Sequence, residues 1–124
     1  MLNSLKATNQ DINKKTMEKQ RTFWLSYDLG LKGDYNSLYT WLDKHKAKEC
    51  GDSIAYFVFT FKENAREEIK KDLLDNIEFK KTDRIYLIWT DDAMKSKGTF
   101  IIGHRKQAPW EGYFSTETEQ SIDS

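Results

Sequence analysis

Residues 23–29 read FWLSYDL, and the side chains alternate between two faces of an extended segment. One face carries Phe23, Leu25, Tyr27 and Leu29, and the other carries Trp24, Ser26 and Asp28. A repeat of two residues predicts a strand with one well-buried face. The segment from Gly30 to Gly33 ends this strand.

Two stretches with helical spacing follow. Asp34 is a candidate N-cap, and the spacing of the apolar residues after it predicts a first helix near 35–45, with Trp41 off its apolar face. Asn64 and Glu67 have the spacing of a capping box and predict the start of a second helix. The apolar face of that helix consists of Ala65, Ile69, Leu73 and Ile77.

Four further strands are predicted, and they are apolar, aromatic or β-branched segments bounded by turn residues. They span residues 47–50, 53–61, 84–90 and 99–103. The element order is then β-α-β-β-α-β with one extra C-terminal strand, which predicts an α+β, ferredoxin-like two-layer sandwich. In that arrangement the third strand runs antiparallel between the first and second, and the fourth runs antiparallel beside the first.

The composition suits a single domain. The chain has 124 residues, with 20 basic and 20 acidic side chains, so it lacks the overall positive charge that favours non-specific nucleic-acid binding, although a local basic patch is compatible with it. Residues 1–22 carry five bases and two acids and predict a flexible basic arm, 23–114 form the domain, and 115–124 predict an acidic flexible tail.

The cellular setting is predicted from what the sequence contains. Cys50 is the one cysteine, which rules out an intrachain disulfide and favours a reducing compartment. No apolar run approaches the roughly 18 residues of a membrane-spanning helix. We therefore expect a cytoplasmic protein without a membrane partner.

The predicted topology brings several polar residues to one edge of the sheet. They are Asp28, Asp52, Ser53, Asp83 and Arg84, whereas Asp91 and Asp92 fall at the opposite edge. Clustered carboxylates can hold Mg²⁺ or Mn²⁺, and Arg84 could contact a phosphate. The alternative is local structure, in which Asp28 caps a loop, Asp52 serves a turn and the pair 83–84 is a surface ion pair.

A second group interleaves bases and aromatic rings near the C-terminus. It consists of His104, Arg105, Lys106, Trp110 and Tyr113. Such residues can bind a single-stranded backbone while the rings stack on bases. The alternative is that Trp110 and Tyr113 pack onto the sheet or onto a partner subunit.

Three short motifs lie within residues 23–90, and they are Tyr27-Asp28, Ser53 and Asp83-Arg84-Ile85-Tyr86. Together they resemble the CRISPR-associated Cas-two family and its stand-alone relatives. The resemblance implies a ferredoxin-like homodimer that acts in defence, either as a metal-dependent nuclease or as a non-catalytic DNA-binding scaffold. It also implies that Asp28 is the catalytic and metal-binding residue and that Ser53 matches the small polar residue before the third strand.

Two hypotheses about function follow. The first is a dimeric protein that binds DNA or RNA and acts as an endonuclease with Mg²⁺ or Mn²⁺. The second is a non-enzymatic module, for example a mobile-element or defence-related protein, that binds a protein or a small ligand with the same dimeric fold. A basic surface favours the first, and an apolar or mixed groove favours the second.

A homodimer is predicted because the sheet face with Trp24 is not covered by the two helices.

Overall fold

The computed structural model describes residues 17–114, which form an α+β fold of five strands and two helices. The elements are β1 (Lys19–Asp28), α1 (Tyr35–Lys44), β2 (Lys48–Glu49), β3 (Ile54–Phe61), α2 (Ala65–Asn76), β4 (Arg84–Thr90) and β5 (Ser96–Ile102). Each predicted helix and strand has a counterpart within a few residues. In this part of the chain, neither helix is long and apolar enough to cross a membrane.

The strands form one antiparallel sheet in the order β2-β3-β1-β4-β5. The expected neighbours are therefore observed, because β3 lies between β2 and β1 and β4 lies beside β1. The additional strand, β5, extends the sheet beyond β4. This arrangement is compatible with a two-layer sandwich of sheet and helices.

The first strand begins at Lys19 and not at Phe23, so the last four residues assigned to the basic arm belong to the sheet. Tertiary contacts explain the difference. The guanidinium of Arg21 donates a hydrogen bond to Asp92 at 2.7 Å and lies 5.2 Å from the centre of the Phe61 ring. Residues 1–16 of the predicted arm and the whole predicted tail, 115–124, lie outside the described residues.

The core lies on one face of the sheet, where the predicted alternation of the first strand is confirmed by the burial of Phe23, Leu25 and Leu29. The prediction for Trp41 was wrong, because this residue is 2% exposed. The indole N–H of Trp41 donates to Asp72 of α2 at 2.9 Å, and its ring meets Phe57 edge-on. The neighbouring helix thus widens the buried face of α1 beyond what the spacing within α1 indicates.

The N-terminus of α2 is capped by a different pair from the predicted one. Asn64 accepts a hydrogen bond from the N–H of Glu67, as expected, but the carboxylate that returns to the N–H of Asn64 belongs to Glu68. Glu68 also accepts from the N–H groups of Lys62 and Glu63. Sequence spacing identified the cap but not the acceptor, because the loop before the helix folds back over Glu68.

This cap predicts a loss of stability in acid. The backbone N–H of Lys62, followed by that of Glu63, holds the pKa of Glu68 below its ordinary value. A lowered pKa in the folded state adds stability above the unfolded value near 4.5 and loses it as the pH falls through the folded value. We expect Glu68→Gln to flatten the fall in unfolding free energy below about pH 4.5, as measured by urea denaturation.

Glu67→Gln is the matched control, since the carboxylate of Glu67 pairs with Arg66 at 3.4 Å and makes no contact with the loop amides that Glu68 binds. An equal flattening in both variants would contradict the assignment of the acid sensitivity to Glu68.

Candidate functional site

Asp28 and Arg84 face each other across the end of the sheet, where β1 pairs with β4. The Nε and Nη2 groups of Arg84 both donate to Oδ2 of Asp28, at 3.1 and 2.6 Å. The Asp28 side chain is 56% exposed, so its Coulomb attraction to Arg84 is screened by water. Asp28 therefore already has a cationic partner within the chain.

Asp52 and Ser53 adjoin this end of β1 through their backbone. The carbonyl of Ser53 accepts from the N–H of Tyr27 at 2.9 Å, and the carbonyl of Asp52 accepts from the Tyr27 hydroxyl at 3.2 Å. Burial raises the pKa of Tyr27, and the neighbouring Tyr39 hydroxyl raises it further. The topology thus brings both residues to the same edge as Asp28, on the side of β1 away from β4.

Asp83 lies at this edge but is 1% exposed. Its Oδ1 accepts from the N–H of Gly30 at 3.0 Å, and its Oδ2 accepts from the N–H of Lys80 at 2.7 Å. A buried carboxylate with both oxygens bound to backbone amides is a structural group. It fastens the loop after β1 to the loop before β4.

These carboxylates do not fit a Mg²⁺ or Mn²⁺ site within one chain. Such ions take several oxygen ligands at about 2 Å. Asp28 is held by a guanidinium and both oxygens of Asp83 are engaged. Across residues 17–114, no three His, Cys, Asp or Glu side chains are placed so that they could share a metal ion.

The fold instead joins two basic segments that are far apart in sequence. We call this surface the basic edge, and it consists of Lys80, Lys81, Arg84, His104, Arg105 and Lys106. A cavity of about 240 Å³ lies between the two segments, with Lys81 and Arg84 on one side and His104 and Lys106 on the other. Sequence patterns grouped Arg84 with the carboxylates and did not indicate Lys80 and Lys81. The reason is that the 104–106 segment comes close to Lys81 and Arg84 only in the folded chain.

Gly103 allows the two segments to approach each other. Its φ is +74°, and a Cβ at this position would lie 2.5 Å from the carbonyl oxygen of Asp83 and 2.9 Å from Cγ of Arg84. A residue with a side chain would therefore be strained there and would push the 104–106 segment away. A glycine directly before three basic residues is visible in the sequence and indicates a close approach. The segment that it approaches, Asp83–Arg84, is visible only in the structure.

Aromatic rings lie beside the basic edge on the sheet face that the helices leave uncovered. Tyr86 and Phe100 meet edge-to-face, with ring centres 4.7 Å apart, and we call them the aromatic pair. The Arg105 guanidinium lies 5.5 Å from the Phe100 ring and 5.9 Å from the Tyr86 ring. Trp110 and Tyr113 are 73% and 64% exposed, so within this chain they do not pack onto the sheet.

The same uncovered face carries a second group of apolar side chains around β1 and β3. We call this group the apolar face, and it consists of Trp24, Tyr56, Val58 and Ile88. Trp24 and Tyr56 are paired in register with ring centres 6.4 Å apart, and Val58 is 55% exposed. A contiguous patch of this kind is typical of a contact surface.

The opposite end of the sheet holds Asp91 and Asp92, as the topology predicts. Asp92 pairs with Arg21 at 2.7 Å. Asp91 accepts hydrogen bonds from the N–H groups of Ala93 and Lys95, both at 2.9 Å. The contacts of Asp91 close the turn between β4 and β5.

A polar cavity of about 490 Å³ lies between the two helices. On its wall His45 stacks on Trp41 at 3.9 Å between ring centres, and Nε2 of His45 lies 3.5 Å from Asp72. Because the Trp41 indole shares the same Asp72 oxygen, this group joins the helices. It explains the burial of Trp41 and is separate from the basic edge.

The chain matches no protein-family model, no curated protein and no solved structure.

The buried carboxylate gives a direct test of how the edge is held. Asp83→Asn keeps one acceptor but turns an NH₂ group toward one of the two backbone N–H donors. We expect a loss of about 2–3 kcal/mol in unfolding free energy, the range for buried hydrogen bonds to a charged group. Urea denaturation should show it, with Asp75→Asn, in an exposed pair with Lys71, as the control. A change below about 0.5 kcal/mol, the range of ordinary surface substitutions, would contradict this role.

Proposed function

We propose that this chain is a Cas-two-like protein of ferredoxin-like fold that dimerises and binds single-stranded nucleic acid through its basic edge. The observation that carries the proposal is the convergence of two distant basic segments beside the half-buried rings of Tyr86 and Phe100. The neighbour relations around β1 and β3, with every pair antiparallel, support the ferredoxin-like assignment.

The local charge supports a polyanionic ligand even though the whole chain is neutral. Five of the six residues of the basic edge are Lys or Arg. Arg84 is paired with Asp28, so the other cations of the edge are Lys80, Lys81, Arg105 and Lys106. The buried Asp83 is bound by two backbone N–H groups. The pKa of Asp34 is lowered by the backbone N–H of Glu78 and further by the nearby Lys80 cation. Lysine and arginine side chains on one edge are the usual means of binding phosphates.

The aromatic pair supports a single strand over a duplex. Bases of a single strand are free to stack on exposed rings, and an arginine above a ring can stack in the same way. Arg105 lies over both Tyr86 and Phe100, so phosphate contacts and stacking would come from one small area.

We do not extend the proposal to metal-dependent cleavage. An endonuclease that used Asp28 would first have to separate it from Arg84, and the carboxylates of a single chain do not supply the other ligands. The non-enzymatic interaction module is the second candidate, and the apolar face is the observation that favours it.

Dimerisation is assigned to the apolar face. It lies toward the Trp24 end of β1, whereas the aromatic pair lies toward the Asp28 end. The two surfaces adjoin each other, because Ile88 also borders the cavity beside the aromatic pair. Burying these side chains removes apolar area from water, worth about 25 cal/mol per Å².

We expect wild-type protein to be a dimer at micromolar concentration and Trp24→Glu to be a folded monomer, because a carboxylate in the contact would be desolvated without a partner. Light scattering after size exclusion measures the mass, and circular dichroism checks the fold. Leu74→Glu is the control, since Leu74 is 51% exposed on α2, outside the sheet. A monomeric wild type would overturn the dimer.

Substitution in the ion pair of Asp28 and Arg84 distinguishes the proposed function from the nuclease hypothesis. Asp28→Asn should free Arg84 for a phosphate, so we expect about threefold tighter binding of a single-stranded 12-mer, and a salt dependence steeper by about 0.7 in log–log slope. Fluorescence anisotropy across a salt series measures both.

Asp92→Asn is the matched control, because it removes the same charge from the cross-strand ion pair at the other end of the sheet. Failure of the wild type to bind any single strand would overturn the proposed function. Loss of Mg²⁺-dependent cleavage together with weaker binding in Asp28→Asn would instead support the nuclease hypothesis.

A further inference from the structure

The cavity of about 240 Å³ at the basic edge has the chemistry of an anion site. The cavity is lined by Lys81, Thr82, Asp83, Arg84, Gly103, His104 and Lys106. The one carboxylate among these residues is buried, and both of its oxygens are bound to backbone N–H groups. The other polar groups at the cavity are the Thr82 hydroxyl and the basic ends of four side chains, and they border a surface that is mostly apolar.

We propose that this cavity binds a phosphate monoester, and that in the nucleic-acid complex it holds the terminal phosphate of the strand. The inference rests on the proposed function, because it names the part of the nucleic acid that the basic edge recognises. We call the cavity the terminal-phosphate recess.

The size and charge of the recess favour a monoester. Cavities that hold a whole small-molecule ligand usually span about 300–1,000 Å³, so this one suits a phosphate group more than a nucleoside. A phosphate monoester carries close to two negative charges at neutral pH and three acceptor oxygens. An internal phosphodiester carries only one charge and continues into the strand on both sides, so it offers the basic side chains a smaller charge to bind.

The donors come from different parts of the fold. Lys81 lies in the loop before β4, Arg84 begins β4, and His104 and Lys106 follow β5. The close approach of Gly103 to Asp83 fixes the distance between these segments. The backbone positions that carry these side chains are therefore set before the ligand arrives, which lowers part of the ordering cost of binding.

The recess continues toward the aromatic pair. Arg84 lines it and also lines a neighbouring cavity of about 400 Å³, which Tyr86, Phe100 and Arg105 border. A strand whose end occupied the recess would therefore place its first bases near these rings. This continuity favours the end of a nucleic-acid strand over an isolated phosphate as the ligand.

The test compares single-stranded DNA 12-mers that differ only at their ends. Each carries a fluorophore at one end and either a phosphate or a hydroxyl at the other, for both 5′ and 3′ ends, and anisotropy gives the dissociation constants. We expect one phosphorylated end to bind about tenfold more tightly than its hydroxyl counterpart, the effect of one charge-assisted contact. AMP and inorganic phosphate, added at constant ionic strength, serve as competitors.

Lys81→Met and Lys106→Met should bring the ratio of the two constants to within twofold of one. Lys70→Met is the matched control, since it removes the same charge from an exposed position on α2 and should keep the full ratio. The ratio is the readout because a general loss of positive charge raises both dissociation constants together. Circular dichroism of each variant checks the fold.

The outcomes separate this inference from the proposed function. Tight binding of both oligonucleotides with a ratio of one, and no competition by AMP, would overturn the recess while the proposed function stands. If no oligonucleotide binds, the proposed function fails. Amide NMR shifts on addition of AMP or inorganic phosphate then test whether the recess binds a phosphate group. Saturable shifts at residues 81–84 and 103–106 that Lys106→Met abolishes would assign it to a free phosphate monoester, and their absence would overturn it.

Discussion

The buried carboxylate of Asp83 holds together the edge of the sheet where β1 ends and β4 begins. Its two oxygens bind backbone amides from the loop after β1 and from the loop before β4, so a single side chain fixes both connections. The close contact of Gly103 with the Asp83 carbonyl then brings in the segment after β5. The positions of Lys81, Arg84 and Lys106 follow from these backbone contacts, because the basic side chains themselves are on the surface.

Charge at this edge shows why a residue type alone does not define a site. Asp28, Asp83 and Arg84 are the residues from which the sequence suggested a metal centre. In the structure two of them form an exposed ion pair and the third is engaged by amides. What remains exposed is a set of lysine and arginine side chains, so the balance at the surface is basic although the chain as a whole carries 20 bases and 20 acids.

Much of the fold was predictable from local patterns. The alternation in residues 23–29, the N-caps at Asp34 and Asn64, and the bounds of β4 are local signals, and each matches the structure. The misses came from contacts between distant segments. Trp41 is buried by the second helix, and Lys19–Thr22 join the sheet through pairing with β3, which no pattern within those segments reveals.

The sequence by itself determined the helices and strands to within a few residues and, apart from Trp41, the face of each helix that is buried, because those properties follow from hydrogen bonding and spacing within a few residues. It also placed Asp28, Asp83 and Arg84 at one edge. Only the tertiary structure decided what those groups do there. A carboxylate can bind a metal, pair with a guanidinium or accept backbone amides, and the choice depends on which donors the rest of the chain brings within about 3 Å.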